Sequence, residues 1–465
     1  MGTSGQFFGA ARTVTGSKYL LTGEKGKILI DFGMFRGEDR LTQKNYEEFD
    51  FNPEEIQYVI LTHAHIDHSG LIPRLVKKGF RGRILCTKPT LDLCKIMFLD
   101  AAHVESIEIE WRNRKRQRAG KPLLEPVYNA EDAAFCMTYF ETIEYGKIKD
   151  LKNGFKVKFA DAGHILGSAI VEISAKIDGE EKKLVFSGDL GNEMQELIRD
   201  PEKLVNADYL FIESTYGDRL HKSHKDTIRE FENAIISAER DRGNIIIPAF
   251  AVERTQEIIF ELSHMYKRNN LDGFSVYVDS PLAIAATEIF EANSRYFDEE
   301  TKTAMKKGVH PFSFPSLVYC KRMEDSRALN DLKSNAIIVS ASGMCEAGRI
   351  KHHLKHNLWR EECVIIFTGY QAIGTTGRAI VDGVKTVKIF GEDIAVRAKI
   401  FTLGGFSGHA DQNGLLKWLF NFKNKKMQVF VVHGEEKSAL AFAEKIREKK
   451  KLQVTVPELG QKIKL

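Results

Sequence analysis

The chain has few cysteines for its 465 residues. The six (Cys86, Cys94, Cys136, Cys320, Cys345 and Cys363) are scattered and no two form a CxxC pair. Neither a disulfide framework nor a thiolate zinc site is indicated, and a reducing, cytoplasmic setting is the expectation. No apolar run is long enough to span a bilayer. The first twenty residues lack the apolar core of a signal peptide, and Gln6 breaks the myristoylation pattern. No membrane partner is expected. There is no internal repeat at a fixed short period and no low-complexity segment. Nor is there a strong excess of one charge: a net +4 permits a polyanionic partner without requiring one. What is present, 43% hydrophobic and 28% charged residues, is the composition of a soluble globular protein. The length predicts two or three domains.

Against this ordinary background, Thr62-His63-Ala64-His65-Ile66-Asp67-His68-Ser69-Gly70 gathers four metal-binding side chains into six positions. It follows the apolar run Tyr58-Val59-Ile60-Leu61, which reads as a buried strand opening into a loop. On an extended backbone His63 and His65 point to the same side. Asp67 and His68 follow where the chain turns and can face a second point nearby. Imidazole and carboxylate are the ligand set of Zn²⁺ and related divalent ions, with zinc preferred over manganese on ligand type. An HxHxDH pattern arises by chance roughly once in a thousand chains of this composition.

Other strands end in residues that complete such a set. Lys27-Ile28-Leu29-Ile30 leads to Asp31, Phe155–Phe159 alternates and leads to His164, Lys183–Phe186 leads to Asp189, and Gln428–Val432 leads to His433. His63, His65 and His164 are expected to form one metal site and Asp67, His68 and His433 another, with Asp189 bridging them. Asp31 reads equally as an acid that fixes a ligand imidazole's tautomer or as a strand-end turn. Two divalent ions about 3.5–4 Å apart depress the pKa of a shared water and suit hydrolysis of phosphodiesters, some amides and thioesters.

The first two hundred residues read as short strands with few helices, in a mixed or sandwiched sheet. From about Tyr209 strands alternate with helical stretches (Asn244–Pro248, Ser275–Val278, Ala336–Ser340 and Cys363–Phe367), pointing to βαβ units and a parallel sheet. The boundaries expected are 1–208 and 371–465 for one split domain and 209–370 for an inserted one. Ala439, Phe442 and Ile446 predict an amphipathic terminal helix. The basic run Arg112-Asn113-Arg114-Lys115-Arg116-Gln117-Arg118 reads as a solvated helix face or loop, or as a nucleic-acid contact.

These residues resemble the motifs of metallo-β-lactamase-fold nucleases that carry the β-CASP insertion. This is the group of the eukaryotic pre-mRNA 3′-end endonuclease and bacterial ribonuclease J. Asp31 matches motif 1, His63-His65-Asp67-His68 motif 2, His164 motif 3 and Asp189 motif 4. Glu213 in Glu213-Ser214-Thr215-Tyr216-Gly217 matches motif A, His409 in Ser407-Gly408-His409-Ala410-Asp411 motif B, and His433 motif C. The opening Thr13-Val14-Thr15-Gly16-Ser17, Asp279–Ala283 and Ser342-Gly343-Met344 also look familial. The resemblance implies an α/β fold, an αββα sandwich split by an inserted α/β domain with a mainly parallel sheet. It implies two Zn²⁺ per chain and a ribonuclease, endonucleolytic with 5′-to-3′ exonuclease activity an option, acting on single-stranded RNA in RNA processing or decay. Histidine at 433, rather than an apolar residue, favours the RNA-processing branch over the DNA-repair branch.

Asp67, Asp189, Glu213 and His409 are then the catalytic candidates. His409 is expected to protonate the departing ribose oxygen, with Glu213 keeping it protonated. Arg254, Arg349, Arg378 and Ser407 are candidates for holding phosphates; Arg254, Arg349 and Arg378 read equally as ion pairs or helix-end charges. The chain ends soon after motif C, so the ribonuclease J manner of dimerisation and 5′-end handling is not expected to carry over. A homodimer stays an open option. The alternatives are a DNA nuclease of the same fold and a metal-dependent thioester or ester hydrolase.

Overall fold

A computed structural model describes residues 2–271, 273–369, 371 and 374–465. The chain divides into two compact units, one of Met1–Glu193, Asp200–Leu220 and His409–Leu465 and one of Met194–Arg199 and His221–Gly408. The second unit takes in Met194–Arg199, ahead of residue 208, and runs past residue 370 to Gly408. Tyr209–Ile212 pairs in parallel with Glu180–Phe186 and Gln428–Val431 in the first unit, while Lys399–Thr402 pairs with Val364–Phe367 in the second.

The first unit is built on two seven-stranded sheets. One runs, in spatial order, Lys462–Lys464, Ser4–Phe7, Tyr19–Gly23, Gly26–Ile30, Ile56–Ile60, Arg83–Cys86 and Phe140–Thr142. The other runs Gln453–Thr455, Gln428–Val431, Tyr209–Ile212, Glu180–Phe186, Ala169–Ile177, Phe155–Asp161 and Ile148–Asp150. Alternation decides which side chains go where. Ile28, Ile30, Ile60 and Leu85 of one sheet share a core with Phe155, Val157, Phe159, Phe186 and Phe211 of the other. The rings of Phe186 and Phe211 stack at 4.1 Å. The intervening positions Ala160, Ile170, Val185, Leu210 and Ile212 pack outward with Leu415 and Leu419 of helix Gln412–Leu419 and with Ala439, Phe442 and Ile446 of helix Glu436–Lys450.

In the second unit every pairing of the six-stranded sheet is parallel. Its central strands Ile245–Pro248 and Ala336–Ser340 are buried at every position, as expected of strands covered on both faces.

The expectation of few helices in the first two hundred residues is corrected. Lys88–Arg118 is a 31-residue helix, capped by the Thr87 side chain and started by Pro89. Its apolar residues do not form one continuous stripe. Leu93, Cys94, Met97 and Phe98 are buried near its start, whereas Val104, Ile107 and Trp111 are exposed further on. That scatter hides the 3.6-residue period. Among the described residues no helix is long and apolar enough to cross a membrane.

Candidate metal centre

The strand Ile56–Ile60 runs between two parallel neighbours, and the chain leaves its carboxyl end as Leu61-Thr62-His63. His65 then caps a short helix, Ile66–Ser69, whose single turn carries Asp67 and His68. Gly33 is required here by close approach: a Cβ on it would lie 1.6 Å from the Asp67 carbonyl oxygen. From the facing sheet, His164 lies in the turn after Phe155–Asp161, and Asp189, Glu213 and His433 follow Glu180–Phe186, Tyr209–Ile212 and Gln428–Val431. Those last three strands are mutually parallel, so their carboxyl ends reach the same edge.

Two groups of donor atoms result. In the first, His65 Nδ1 lies 3.1 Å from both His63 Nε2 and His164 Nε2. Asp189 Oδ2 stands 3.5 Å from His63 Nε2 and 3.6 Å from His164 Nε2. In the second, His68 Nε2 lies 3.1 Å from His433 Nε2, which is 3.5 Å from Asp67 Oδ2. Asp189 Oδ1 faces this group, 3.3 Å from His68 Nε2 and 3.2 Å from His433 Nδ1. Oδ1 is buried and, among the described residues, has no hydrogen-bond partner. Four donors placed tetrahedrally around an ion at about 2.0–2.1 Å stand about 3.3–3.4 Å apart, close to the spacings seen. The residues therefore fit a pair of divalent cations sharing Asp189. An orphaned carboxylate oxygen among imidazoles is costly unless a cation or proton meets it.

The surroundings orient these donors. Asp31 Oδ2 lies 2.7 Å from His68 Nδ1, and the same carboxylate accepts from the Thr62 amide (2.8 Å), the Thr62 hydroxyl (3.0 Å) and Ser17 (3.1 Å). The imidazole is thereby turned so that Nε2 faces the site. Asp31 and His433 both adopt positive φ, 56° and 45°, a strained conformation for residues other than glycine. Burial lowers His65 to a pKa of about 4, which favours the neutral form that a ligand needs. Burial alone would raise Asp189, but the imidazoles of His433, His68 and His409 hold it well below the usual carboxylate range.

Beside the donors, His409 Nδ1 lies 3.1 Å from Glu213 Oε1. Glu213 is fully buried and also accepts from the Leu190 amide at 2.7 Å. Burial disfavours the charged imidazole, yet Glu213 and Asp189 overcome this and push His409 up to about 9. The His409 ring lies against His164, with centroids 4.6 Å apart.

The second unit holds the phosphate-binding candidates. Arg254 is buried and pairs with Glu257, Arg349 bonds Asp279 at 2.7 Å, Arg378 pairs with Asp382 one turn away, and the Ser407 carbonyl accepts from Gln195. Sequence reasoning missed Thr62 and Ser17, which touch Asp31, and Thr215, whose hydroxyl lies 3.3 Å from His433 Nδ1. Short hydroxyl residues flanking a donor motif carry no local signature.

The chain matches the model of the metallo-β-lactamase superfamily over residues 12–249, that of the β-CASP domain over 255–380, and that of the Zn-dependent metallo-hydrolase RNA specificity domain over 393–457. It belongs to the β-CASP branch of the metallo-β-lactamase superfamily. Among its relatives, Ribonuclease TTHA0252 of Thermus thermophilus is 38% identical over 93% of this chain and 94% of that protein. An RNase J-like protein of Methanocaldococcus jannaschii is 30% identical over 98% of both chains. The transcription termination factor FttA of the same organism is 31% identical over 97% of this chain and 70% of its own length. A crystal structure of a protein of unknown function from Enterococcus faecalis V583 has a TM-score of 0.57 at 15% identity, covering both chains fully. That likeness concerns the fold alone. Membership of this superfamily makes the chain a metallo-hydrolase.

Proposed function

We propose that this β-CASP protein is a two-zinc ribonuclease that hydrolyses phosphodiester bonds of single-stranded RNA. The observation that carries the reading is Asp189 standing against both donor groups, Oδ2 by His63 and His164 and Oδ1 by His68 and His433, with the His409–Glu213 pair beside them. The relatives with ribonuclease names, and the match to a Zn-dependent metallo-hydrolase RNA specificity domain, support the substrate class. His63, His65 and His164 would hold one ion, Asp67, His68 and His433 the other, with Asp189 between. When bound, such a pair supplies Lewis-acid polarisation of the phosphate and a water of lowered pKa.

The protein's own groups do the rest. Asp31 fixes the His68 ring so that only Nε2 is presented. Glu213 engages His409 Nδ1, which leaves Nε2 as the nitrogen that hands a proton to the departing ribose 3′-oxygen. Burial of the Glu213 carboxylate strengthens its hold on the imidazolium. Arg254 and Arg349 act in this reading on the flanking strand, or serve only to brace the second unit through Glu257 and Asp279.

The test is metal content per chain measured alongside cleavage of end-labelled linear and circular RNA. Two zinc ions and opening of the circle are expected, since only an endonuclease opens a circle. Matched DNA cleaved as well as RNA, or turnover of thioesters untouched by competing oligonucleotide, would replace this function with one of its alternatives.

A further inference from the structure

The helix Lys88–Arg118 packs through Phe98, Ala102 and Ile109, all buried. At 100° per residue the opposite side carries Val104, Ile107, Trp111, Arg114, Lys115 and Arg118. Beyond Asp100 this side carries the apolar Val104, Ile107 and Trp111 and then the cations Arg114, Lys115 and Arg118, with Glu108 and Glu110 at its edges. Val104 is 44% exposed, Ile107 and Trp111 each 56%. From Trp111 to Lys121 there are six cations in eleven residues (Arg112, Arg114, Lys115, Arg116, Arg118 and Lys121) and no carboxylate.

The cations are weakly committed. Lys115 Nζ sits 3.5 Å from the centre of the Trp111 ring. Arg114 pairs with Glu110 at 3.0 Å, both two-thirds exposed, the kind of pair that contributes little and yields readily to phosphate. Arg112 pairs likewise with Glu108, and Arg116 Nε donates to the Pro122 carbonyl at 2.6 Å. Among the described residues the side chains of Arg118 and Lys121 have no ion-pair partner.

We propose that this helix face is a second binding surface for single-stranded RNA, which stacks a base on Trp111 and sets its phosphates on Arg114, Lys115, Arg118 and Lys121. An exposed aromatic ring among cations is how proteins hold single strands without reading sequence. Charge decides the occupant. A second copy docked about a twofold axis would set six cations against six, whereas a polyphosphate strand neutralises them and releases counterions. The proposal rests on the ribonuclease reading for its choice of RNA.

The surface is tied to the centre through the start of the helix. Thr87 Oγ1 donates to the Gly167 carbonyl at 2.6 Å, in the same turn as His164. At 1.5 Å per residue, Trp111 lies about 36 Å along the helix from Thr87. A stacked strand advancing about 3.4 Å per nucleotide needs about ten nucleotides to cover that distance. Long substrates therefore gain from the surface and short ones do not.

The test compares an unstructured, fluorescent RNA of about 25 nucleotides with one of about six. Affinity is read by anisotropy in chelator over a series of salt concentrations, and cleavage is read with metal restored. Replacing the four cations (R114Q/K115Q/R118Q/K121Q) should flatten the log–log salt slope for the long RNA by about 2.8, at about 0.7 per contact. Trp111→Ala should weaken long-RNA binding by about 5- to 100-fold, and Trp111→Phe should restore most of it. Cleavage of the short RNA should be unchanged throughout, as should the melting temperature. The proposal is overturned if both variants keep wild-type affinity and slope, if short and long RNA suffer equally, or if sedimentation shows a dimer that the variants dissolve. Wild-type protein that binds the long RNA but cuts neither would refute the ribonuclease reading and leave this surface standing.

Discussion

Asp31 contacts His68 and His409 packs against His164, and the geometry gives them different work. His409 is bonded through Nδ1 to Glu213 and completes neither donor group; its Nδ1 is 3.9 Å from Asp189 Oδ2. His409→Ala should keep both zinc ions, by elemental analysis, while turnover falls by about 10²–10⁴. Loss of zinc in that variant would sink the proton-donor role. Asp31 holds His68 at 2.7 Å and is itself held by Thr62 and Ser17. Asp31→Asn keeps the shape but replaces one acceptor oxygen by a donor. Zinc affinity should fall by about 10- to 100-fold, read by competition with a chromophoric chelator, and excess zinc should restore turnover. His63, His65, Asp67 and His68 were legible in the sequence because one short motif contains them all. Asp31 remained ambiguous because its role depends on contact with residues 31 and 37 positions away, and contact at that separation has no local pattern.

Among the elements, strands were legible where apolar runs were short and ended in a chemically distinctive residue. The alternation that sends Phe159 inward and Ala160 outward is visible in the sequence. The helix Lys88–Arg118 was not, because Leu99, Val104, Ile107 and Trp111 are exposed and interrupt its apolar stripe. Helix Arg254–Lys267 poses the reverse problem: it is buried almost all round and carries Glu257 and Glu261 inside. Burial, together with Glu196 and Glu257 nearby, pushes Glu261 up to about 8. His224 Nε2 stands 3.8 Å from its carboxylate. A carboxyl group raised in the folded state stabilises the fold below its ordinary pKa near 4.5, and that contribution is lost as pH rises through about 8. Glu261→Gln, which cannot ionise, should therefore match wild type near pH 5 and melt a few degrees higher at pH 8.5 and above. Thermal scans across that range check it; a gap of the same size at both ends would mean that the glutamate is not charging in the fold.

For the molecule as a whole, the division of donors makes one carboxylate answerable for two sites. His63, His65 and His164 gather in one group and Asp67, His68 and His433 in a second, while Asp189 sets Oδ2 against the first and Oδ1 against the second, and also groups with Glu213 and His433. An ion that binds only the folded chain stabilises it by mass action, about 2.7 kcal/mol at a free concentration one hundred times its dissociation constant. For a domain-sized unit that is roughly 5–10 °C per ion. The quantity to compare is the rise in melting temperature on adding zinc to chelated protein, because each substitution also shifts the metal-free baseline. His65→Ala should remove the first ion's share of that rise and His433→Ala the second ion's, each leaving about one zinc per chain. Asp189→Ala should remove both shares and leave neither ion tightly bound. The outcome against this arrangement is an Asp189 variant that retains a full single-ion rise, since a carboxylate serving one group alone would leave the other intact.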